Sequence, residues 1–383
     1  MRVTVGDFIV TRDMKSAVTG VMHTGRISYG PRSKAFEHQF GQLHNSLFTI
    51  LSNSGTSSLQ VALQAMKQIH GWADGDEVII PATTFVATMN IVLHNNMTPV
   101  LVDVEPDYYG IDAGLIPPAI TDRTRAIIPV HTFGQPADMK SIKLIADHHE
   151  LKIIEDSCEC MFATNNGQPV GSIGDIGCFS TYVAHIITTG VGGLATTSNP
   201  EYAALMRSLV NHGRDIIYTN IDDDEQVTEE IISRRFQFNS IGHSFRITEL
   251  EAALGLAQLK NWTENIAARQ HNADLLTQGL RPYQKWLQLP RTRRDASHSY
   301  MMYPIVARNT EKQGLVTYLE TNGIETRDML PLINQPAYDG LIDQTMYPVA
   351  SWLLKGGFYI GCHPGVSEGD VEYVVHKIRD YYA

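Results

Sequence analysis

The 383-residue chain is short of cysteine, of positive charge and of long apolar runs, and each shortage closes off a class of protein. Four cysteines without the tight spacing of a small secreted scaffold make no disulfide framework and predict reduced thiols. Lys and Arg number 30 against 41 Asp and Glu, a formal net charge of −11. A nucleic-acid or anionic-membrane partner needs clustered cations to neutralise phosphate, so neither is expected. No run reaches the roughly eighteen apolar residues of a membrane span. The opening stretch MRVTVGDFIVTRDMK contains acids and no apolar core of signal-peptide length. The expected setting is cytoplasmic. Internal repeats and low-complexity linkers are absent too, and 43% hydrophobic with 19% charged residues is the composition of an ordinary folded protein.

What is present is alternation. LFTILSNS, DEVIIPATTF, MTPVLVDV, TRAIIPVHTFG, LKIIEDS, DIGCFSTY and GGLATT read as strands. Several are nearly continuous in apolar residues, as strands covered on both faces are. TSSLQVALQAMKQI and DMKSIKLIADHHE between them suit helices. Strand and helix in turn predict an α/β fold, a mostly parallel sheet between layers of helices. Residues 248–280 read as one long helix, with Leu250, Leu254, Ala257 and Leu259 at helical spacings and Thr248 capping it through Glu251. Beyond it, SYMMYPIVAR, GIETRDM and GGFYIGCHPGVSEGDVEYVVHKI suggest a small α/β unit. A boundary near residue 250 separates a large domain, 1–250, from a smaller one, 251–383. The acidic run IDDDEQVTEE at 221–230 reads as a solvated loop.

Sheets of this kind gather ligands at the carboxyl ends of their strands. Gly55, Thr56 and Ser57 in SNSGTSSL open a helical pattern, and helix-start amides suit a phosphate. Phe85 ends PATTF and could stack on a flat ring. Asp156 ends the apolar run IIED, where a carboxylate is costly unless it meets a cation or a donor. A protonated pyridine nitrogen is one such partner. Ser180 in FSTYVAH offers a hydroxyl, with His185 five residues on. Taken singly, each has an ordinary reading: a helix cap, a core aromatic, a salt bridge, a structural histidine.

In this order, the motifs resemble those of the DegT/StrS-type sugar aminotransferases, fold type I PLP enzymes acting on nucleotide-linked keto-sugars. The resemblance runs nearly end to end through ISYGPRSKAFEHQF, SNSGTSSL, IIPATTFVAT, PVLVDVEPD, PVHTFGQPADM, IIEDSCE, GQPVGSIGDIGCFS, ITTGVGGLATT, RSLVNHGRD, FRITELEAALGLAQL and FYIGCHPGVSEGDVEYVV. It implies a seven-stranded, mostly parallel sheet flanked by helices, with the smaller C-terminal domain beside it. It implies that Gly55, Thr56, Ser57 and Ser180 hold the PLP phosphate, that Phe85 covers the ring and that Asp156 pairs with its nitrogen. Ser244 occupies the place of an Asn that reaches the phosphate from a neighbouring subunit, which implies a homodimer with shared sites. His212, Arg214 and Arg246 occupy substrate- or cofactor-contacting places, where a surface salt bridge is an equal reading for an Arg.

One departure decides the chemistry. Aligning on ITTGVGG puts His185 where the aminotransferases carry lysine. Histidine has no primary amine to bond the cofactor, so PLP or PMP is expected to be held noncovalently, with imidazole as general base. A branch of the family with this replacement comprises sugar 3-dehydratases, including GDP-4-keto-6-deoxy-D-mannose 3-dehydratase. The expected activity is C3 deoxygenation of a nucleotide-linked 4-keto-6-deoxy sugar with release of ammonia, glutamate serving as amino donor. Glu159, in SCE, stands near the expected phenolic oxygen, where that branch carries an acid. Val191 in place of the loop's usual Glu, and a loop without a second His, depart from the branch. Cys158, Cys160, Cys178 and Cys362 do not have the spacing of the iron–sulfur subclass, so core thiols and no metal are expected. Two alternatives stay open: a lysine-free paralogue that binds PLP or a sugar nucleotide as a regulator, and transamination assisted by another base.

Overall fold

Residues 1–215, 229–234, 236–308 and 312–383 are described by a computed structural model of the chain. The acidic run lies outside these residues except for its last two, which begin a short helix.

All seven runs read as strands form one sheet. In chain order they are β1 (Phe48–Ser52), β2 (Glu77–Pro81), β3 (Thr98–Val102), β4 (Thr124–Ile127) and β5 (Lys152–Asp156), then, after the small hairpin β6 (Thr164–Asn165) and β7 (Gln168–Pro169), β8 (Ile176–Ser180) and β9 (Gly193–Thr197). Their order across the sheet is β1-β9-β8-β5-β4-β2-β3, and β9 alone runs against the rest. Alternate residues feed separate cores. Val78, Ile80, Ala126 and Ile154 enter one cluster, while Ile79, Ile127 and Ile153 enter another on the opposite face. This is why the strands read as unbroken apolar runs.

The helices before and between the strands are α1 (Arg12–Thr24), α2 (Pro31–Leu43), α3 (Gly55–His70), α4 (Val86–His94), α5 (Met139–His148) and α6 (Pro200–Val210). Helix α3 ends at Gly71, whose φ of 63° is the left-handed stop that glycine adopts without strain. After α7 (Glu229–Ser233) come α8 (Glu249–Leu259) and α9 (Trp262–Leu280). Thr248 and Glu251 form the expected capping box at the start of α8. The single helix expected over 248–280 is instead two. No glycine or proline marks the break at Lys260–Asn261; it accompanies the stacking of Trp262 on Phe162, 4.7 Å between ring centroids.

A second, antiparallel sheet contains β10 (Leu287–Gln288), β11 (Tyr303–Ala307), β12 (Arg327–Asp328) and β13 (Gly357–Ile360), in the order β10-β11-β13-β12. It shares its core with α9, α10 (Lys312–Thr321) and α12 (Glu368–Tyr382); α11 (Pro348–Gly356) precedes β13. Val3 joins the same core and pairs with Ile324. Among the described residues no helix is long and apolar enough to cross a membrane.

Candidate active site

Because β1, β2, β5 and β8 run the same way, Ser52, Pro81, Asp156 and Ser180 finish at one edge of the sheet. Helix α3 starts there. Ser54 caps it, its Oγ accepting the Ser57 N–H at 3.0 Å, and the Ser57 hydroxyl turns back to Asn53 Oδ1 at 2.6 Å. The Gly55 and Thr56 amides have no partner within the helix and lie at its positive end, an arrangement that favours an anion. Gly55 is wedged in place: a Cβ there would stand 2.7 Å from Cys158 Sγ and 2.8 Å from Ser180 Cβ. Gly193 is equally confined, since a Cβ would meet the Ser54 carbonyl at 2.2 Å. The helix start, the end of β8 and the segment after β5 therefore touch.

Asp156 is 4% exposed at the end of β5. Its Oδ2 accepts the Thr88 hydroxyl at 2.8 Å and its Oδ1 the Cys158 N–H at 3.2 Å. Burial raises its pKa, with the hydrogen bonds from Cys158 and Thr88 opposing. No lysine or arginine pairs with it among the described residues, so a cation or N–H donor at this place would find a ready acceptor. Phe85, immediately before α4, is 60% exposed, so the core-packing reading of this aromatic does not hold.

Glu159 is half-buried and its Oε2 accepts the Phe133 N–H at 2.9 Å. Burial pushes its carboxyl up to about 7; the Phe133 hydrogen bond opposes this and nearby Asp156 adds to it. By contrast, Glu155, on the other face of β5, accepts the N–H groups of Gly171, Ile173 and Gly174 and meets His131 Nε2 at 3.0 Å. It is a structural carboxylate with no lone pair to spare.

His185 lies in the loop between β8 and β9, half-buried, with Nδ1 2.6 Å from the Cys158 carbonyl. A carbonyl only accepts, so the neutral ring carries its proton on Nδ1 and its lone pair on Nε2. Loss of water around the ring pulls its pKa down to about 4; the Cys158 carbonyl opposes that shift and the Arg269 charge reinforces it. At neutral pH the imidazole is an uncharged base.

The remaining predicted residues form a second group on the flank. Ser244 bridges to Asn211, and Arg246 donates to Asn211 Oδ1 at 2.6 Å and to Ser244 Oγ at 3.1 Å. His212 donates its N–H to the His243 carbonyl at 2.8 Å, and Arg214 pairs with Phe238. The group meets the start of α3 through the Asn53 N–H on the Phe245 carbonyl, 2.7 Å. Ser244, His212 and Arg246 make no hydrogen bond or ion pair with Asp156, Ser180 or His185 among the described residues. The cysteines are free thiols: Cys160, Cys178 and Cys362 sit in three different cores and Cys158 lies at the site.

Sequence reasoning missed Thr88, one turn into the helix after Phe85, where a lone hydroxyl among apolar residues was the available signal. The Cys158 carbonyl and the Phe133 amide are main-chain groups and carry no signal in residue type.

The amino-acid sequence matches the DegT/DnrJ/EryC1/StrS aminotransferase family over residues 9–379. The chain belongs to that family. Its relatives include the GDP-perosamine synthase of Caulobacter vibrioides, 34% identical over 344 residues, 89% of this chain and 87% of that protein. They also include the dTDP-4-dehydro-2,6-dideoxy-D-glucose 3-dehydratase of Saccharopolyspora spinosa, 31% identical over 382 residues, 94% and 82% of the two. The structure of E. coli GDP-4-keto-6-deoxy-D-mannose-3-dehydratase with bound hydrated PLP superposes with a TM-score of 0.90 over 98% of each chain, at 23% identity, which is a likeness of fold. The expected α/β fold of the fold type I PLP enzymes, with its seven-stranded mostly parallel sheet, is the one present.

Proposed function

We propose that this member of the DegT/DnrJ/EryC1/StrS family is a PLP/PMP-dependent 3-dehydratase of a nucleotide-linked 4-keto-6-deoxy sugar, with His185 as general base. The observation that carries the reading is the state of the imidazole. It stands where the family resemblance places a lysine, and the Cys158 carbonyl leaves Nε2 as its acceptor nitrogen. Such a group moves a proton but forms no lasting bond to an aldehyde. The printed names of the relatives, a GDP-perosamine synthase and a 3-dehydratase, support a nucleotide-linked sugar as substrate.

The residues fit the cofactor. Gly55 leaves a cradle that a Cβ would fill, and the main chain at Gly55, Thr56 and Ser57 with the Ser180 hydroxyl would hold the phosphate. Asp156, buried with no cation beside it among the described residues, would take the pyridine nitrogen; the exposed Phe85 ring would cover the face; Glu159 would stand by the phenolic oxygen. Bound there, the pyridoxal ring supplies an electron sink. Nε2 of His185 would be the acceptor for the proton that this chemistry releases as the sugar gives up its C3 oxygen. Over the whole reaction the sugar loses that oxygen, glutamate is oxidised to 2-oxoglutarate and ammonia is released, so electrons balance. His212, Arg214 and Arg246 are assigned to the substrate side, and Ser244 to the phosphate of a neighbouring subunit in a homodimer. The same reading takes 1–250 as the cofactor-holding domain, 251–383 as the smaller one, and the enzyme as cytoplasmic.

The test is incubation with PLP, glutamate and a panel of GDP- and dTDP-linked 4-keto-6-deoxy sugars, followed by mass spectrometry and an ammonia assay. A product lacking one oxygen, with ammonia, both lost in His185→Ala, is expected. An amino-sugar product instead means transamination, and PLP binding with no turnover on any sugar means a binding protein.

A further inference from the structure

The loop carrying His185 is held from behind by two amide side chains outside the cofactor-facing group. Gln258, at the end of α8, pairs with Thr188 as a neighbouring strand would: its Oε1 accepts the Thr188 N–H at 3.0 Å and its Nε2 donates to the Thr188 carbonyl at 2.5 Å. Asn265, in the first turn of α9, donates from Nδ2 to the Ile186 carbonyl at 3.1 Å. Its orientation is decided by Arg269. A guanidinium only donates, so Arg269 Nε, 2.8 Å away, obliges Oδ1 to face it and turns Nδ2 to the loop. Arg269 is itself 4% exposed and fixed on the Tyr300 and Met301 carbonyls, at 3.3 and 2.8 Å.

The loop's two ends are closed separately, by the Thr181 and Thr189 hydroxyls at 2.6 Å and by the Thr189 N–H on the Thr181 carbonyl at 2.8 Å. That closure does not reach residues 186–188: the Ile186 and Ile187 side chains enter the core, and the main chain of Ile186 and Thr188 is held by Asn265 and Gln258. The imidazole's reach to Cys158 is a 2.6 Å bond to one main-chain atom. From 2.6 Å such a bond passes the usual limit near 3.2 Å after a displacement of about 0.6 Å, and sooner where its alignment is lost.

We propose that Gln258 and Asn265, the latter oriented by Arg269, are positioning residues for His185: they hold residues 186–188 where the imidazole meets the Cys158 carbonyl, and so keep the proton on Nδ1 and the lone pair on Nε2. The inference rests on His185 as the base. A neutral histidine ring released into water favours the opposite tautomer, with Nε2 protonated and useless as an acceptor. The ordinary alternative is that both amides only pack α8 and α9 against the loop.

The variants Gln258→Met and Asn265→Leu keep volume and remove the hydrogen bonds. The first readout is nitrogen-15 NMR of the His185 ring in the full-length, cofactor-free protein, assigned by His185→Asn. The second is exchange of the C4′ hydrogens of bound PMP with deuterated solvent, alongside PMP affinity. The parent shows the Nδ1–H form; each variant shows a population of the Nε2–H form and exchange slowed by roughly tenfold or more at near-unchanged PMP affinity. If both variants retain the parent ring signals and only melt earlier, the residues are packing residues and the proposal falls. If the ring changes and exchange does not, positioning stands and the base reading falls.

Discussion

Alanine at position 55 tests where the anion-holding turn lies. The added methyl would stand 2.7 Å from Cys158 Sγ, 2.8 Å from Ser180 Cβ and 3.3 Å from Ser180 Cα. Comfortable heavy-atom contacts lie at about 3.5–4.0 Å, so the methyl is roughly 1 Å too close to two neighbours at once. Ser180 cannot retreat, because β8 is paired to β9 at Ser180–Gly193. The start of α3 must move instead. Overpacking of this kind costs about 1–3 kcal/mol, and alanine returns at most about 1 kcal/mol of helix propensity, leaving a net loss of up to about 2 kcal/mol when that return is complete. The same movement takes the Gly55 and Thr56 amides away from Ser180. Losing one charge-assisted hydrogen bond to a phosphate weakens PLP by about tenfold. Urea denaturation reads the first effect and an absorbance titration with PLP the second. In the Gly55→Ala/Cys158→Ala double variant one clash is removed, so part of both losses returns and the two changes are not additive. Thr56→Ala, whose side chain is exposed, leaves stability within about 0.5 kcal/mol. If Gly55→Ala unfolds with the parent and binds PLP equally well, the cradle is not where PLP sits.

Two pH effects follow from buried groups. His44 lies among Phe40, Phe162 and Phe179 with its Nδ1 3.1 Å from the Phe40 carbonyl and its Nε2 without a partner; burial pulls its pKa down to about 4. The unfolded chain binds the proton more tightly than the folded one, so stability falls as pH drops from about 6.5 towards 4, and His44 costs about 2 kcal/mol at pH 5. His44→Phe keeps the stack without the charge, so its gap in urea stability between pH 7 and pH 5 is smaller by that amount; an unchanged gap refutes this. Glu159 has the opposite sign: its folded pKa of about 7 lies above the unfolded value, so stability falls as pH rises from about 4.5 to 7. Glu159→Gln mimics the protonated state and is expected to remove the pH dependence of PLP affinity between pH 6 and 8, read by titration at each pH.

The main sheet was legible because strands covered on both faces must be apolar throughout, and all seven runs proved to be strands of it. The cap at Thr248 was legible for a similar reason, since a threonine and a glutamate three apart satisfy each other locally. The break after Leu259 was not. It involves Trp262 meeting Phe162, a hundred residues away in sequence, and no local stop residue announces it. At the site, residues that act through side-chain chemistry could be named: Asp156, Ser180, Glu159 and His185 lie on or just beyond the ends of the strands that gather there. Partners that act through the main chain could not, because the Cys158 carbonyl would be the same atom in any residue. The flank group of Ser244, His212, Arg214 and Arg246 came from resemblance alone; Ser244 and Arg246 meet Asn211 and each other, while His212 meets His243 and Arg214 meets Phe238.

Asp156 and Cys158 lie two residues apart on one stretch of main chain, closed into a turn by the Cys158 N–H on Asp156 Oδ1. One supplies the buried carboxylate and the other the carbonyl that receives His185. The two reference points of the site thus share a single datum, as two holes drilled in one plate keep their spacing when the plate shifts. Thermal drift of this segment carries both together, and the offset between whatever rests on the carboxylate and the imidazole is preserved. The side chain at position 158 meets both Asp156 and the start of α3, so a change there is felt on the carboxylate side of that offset.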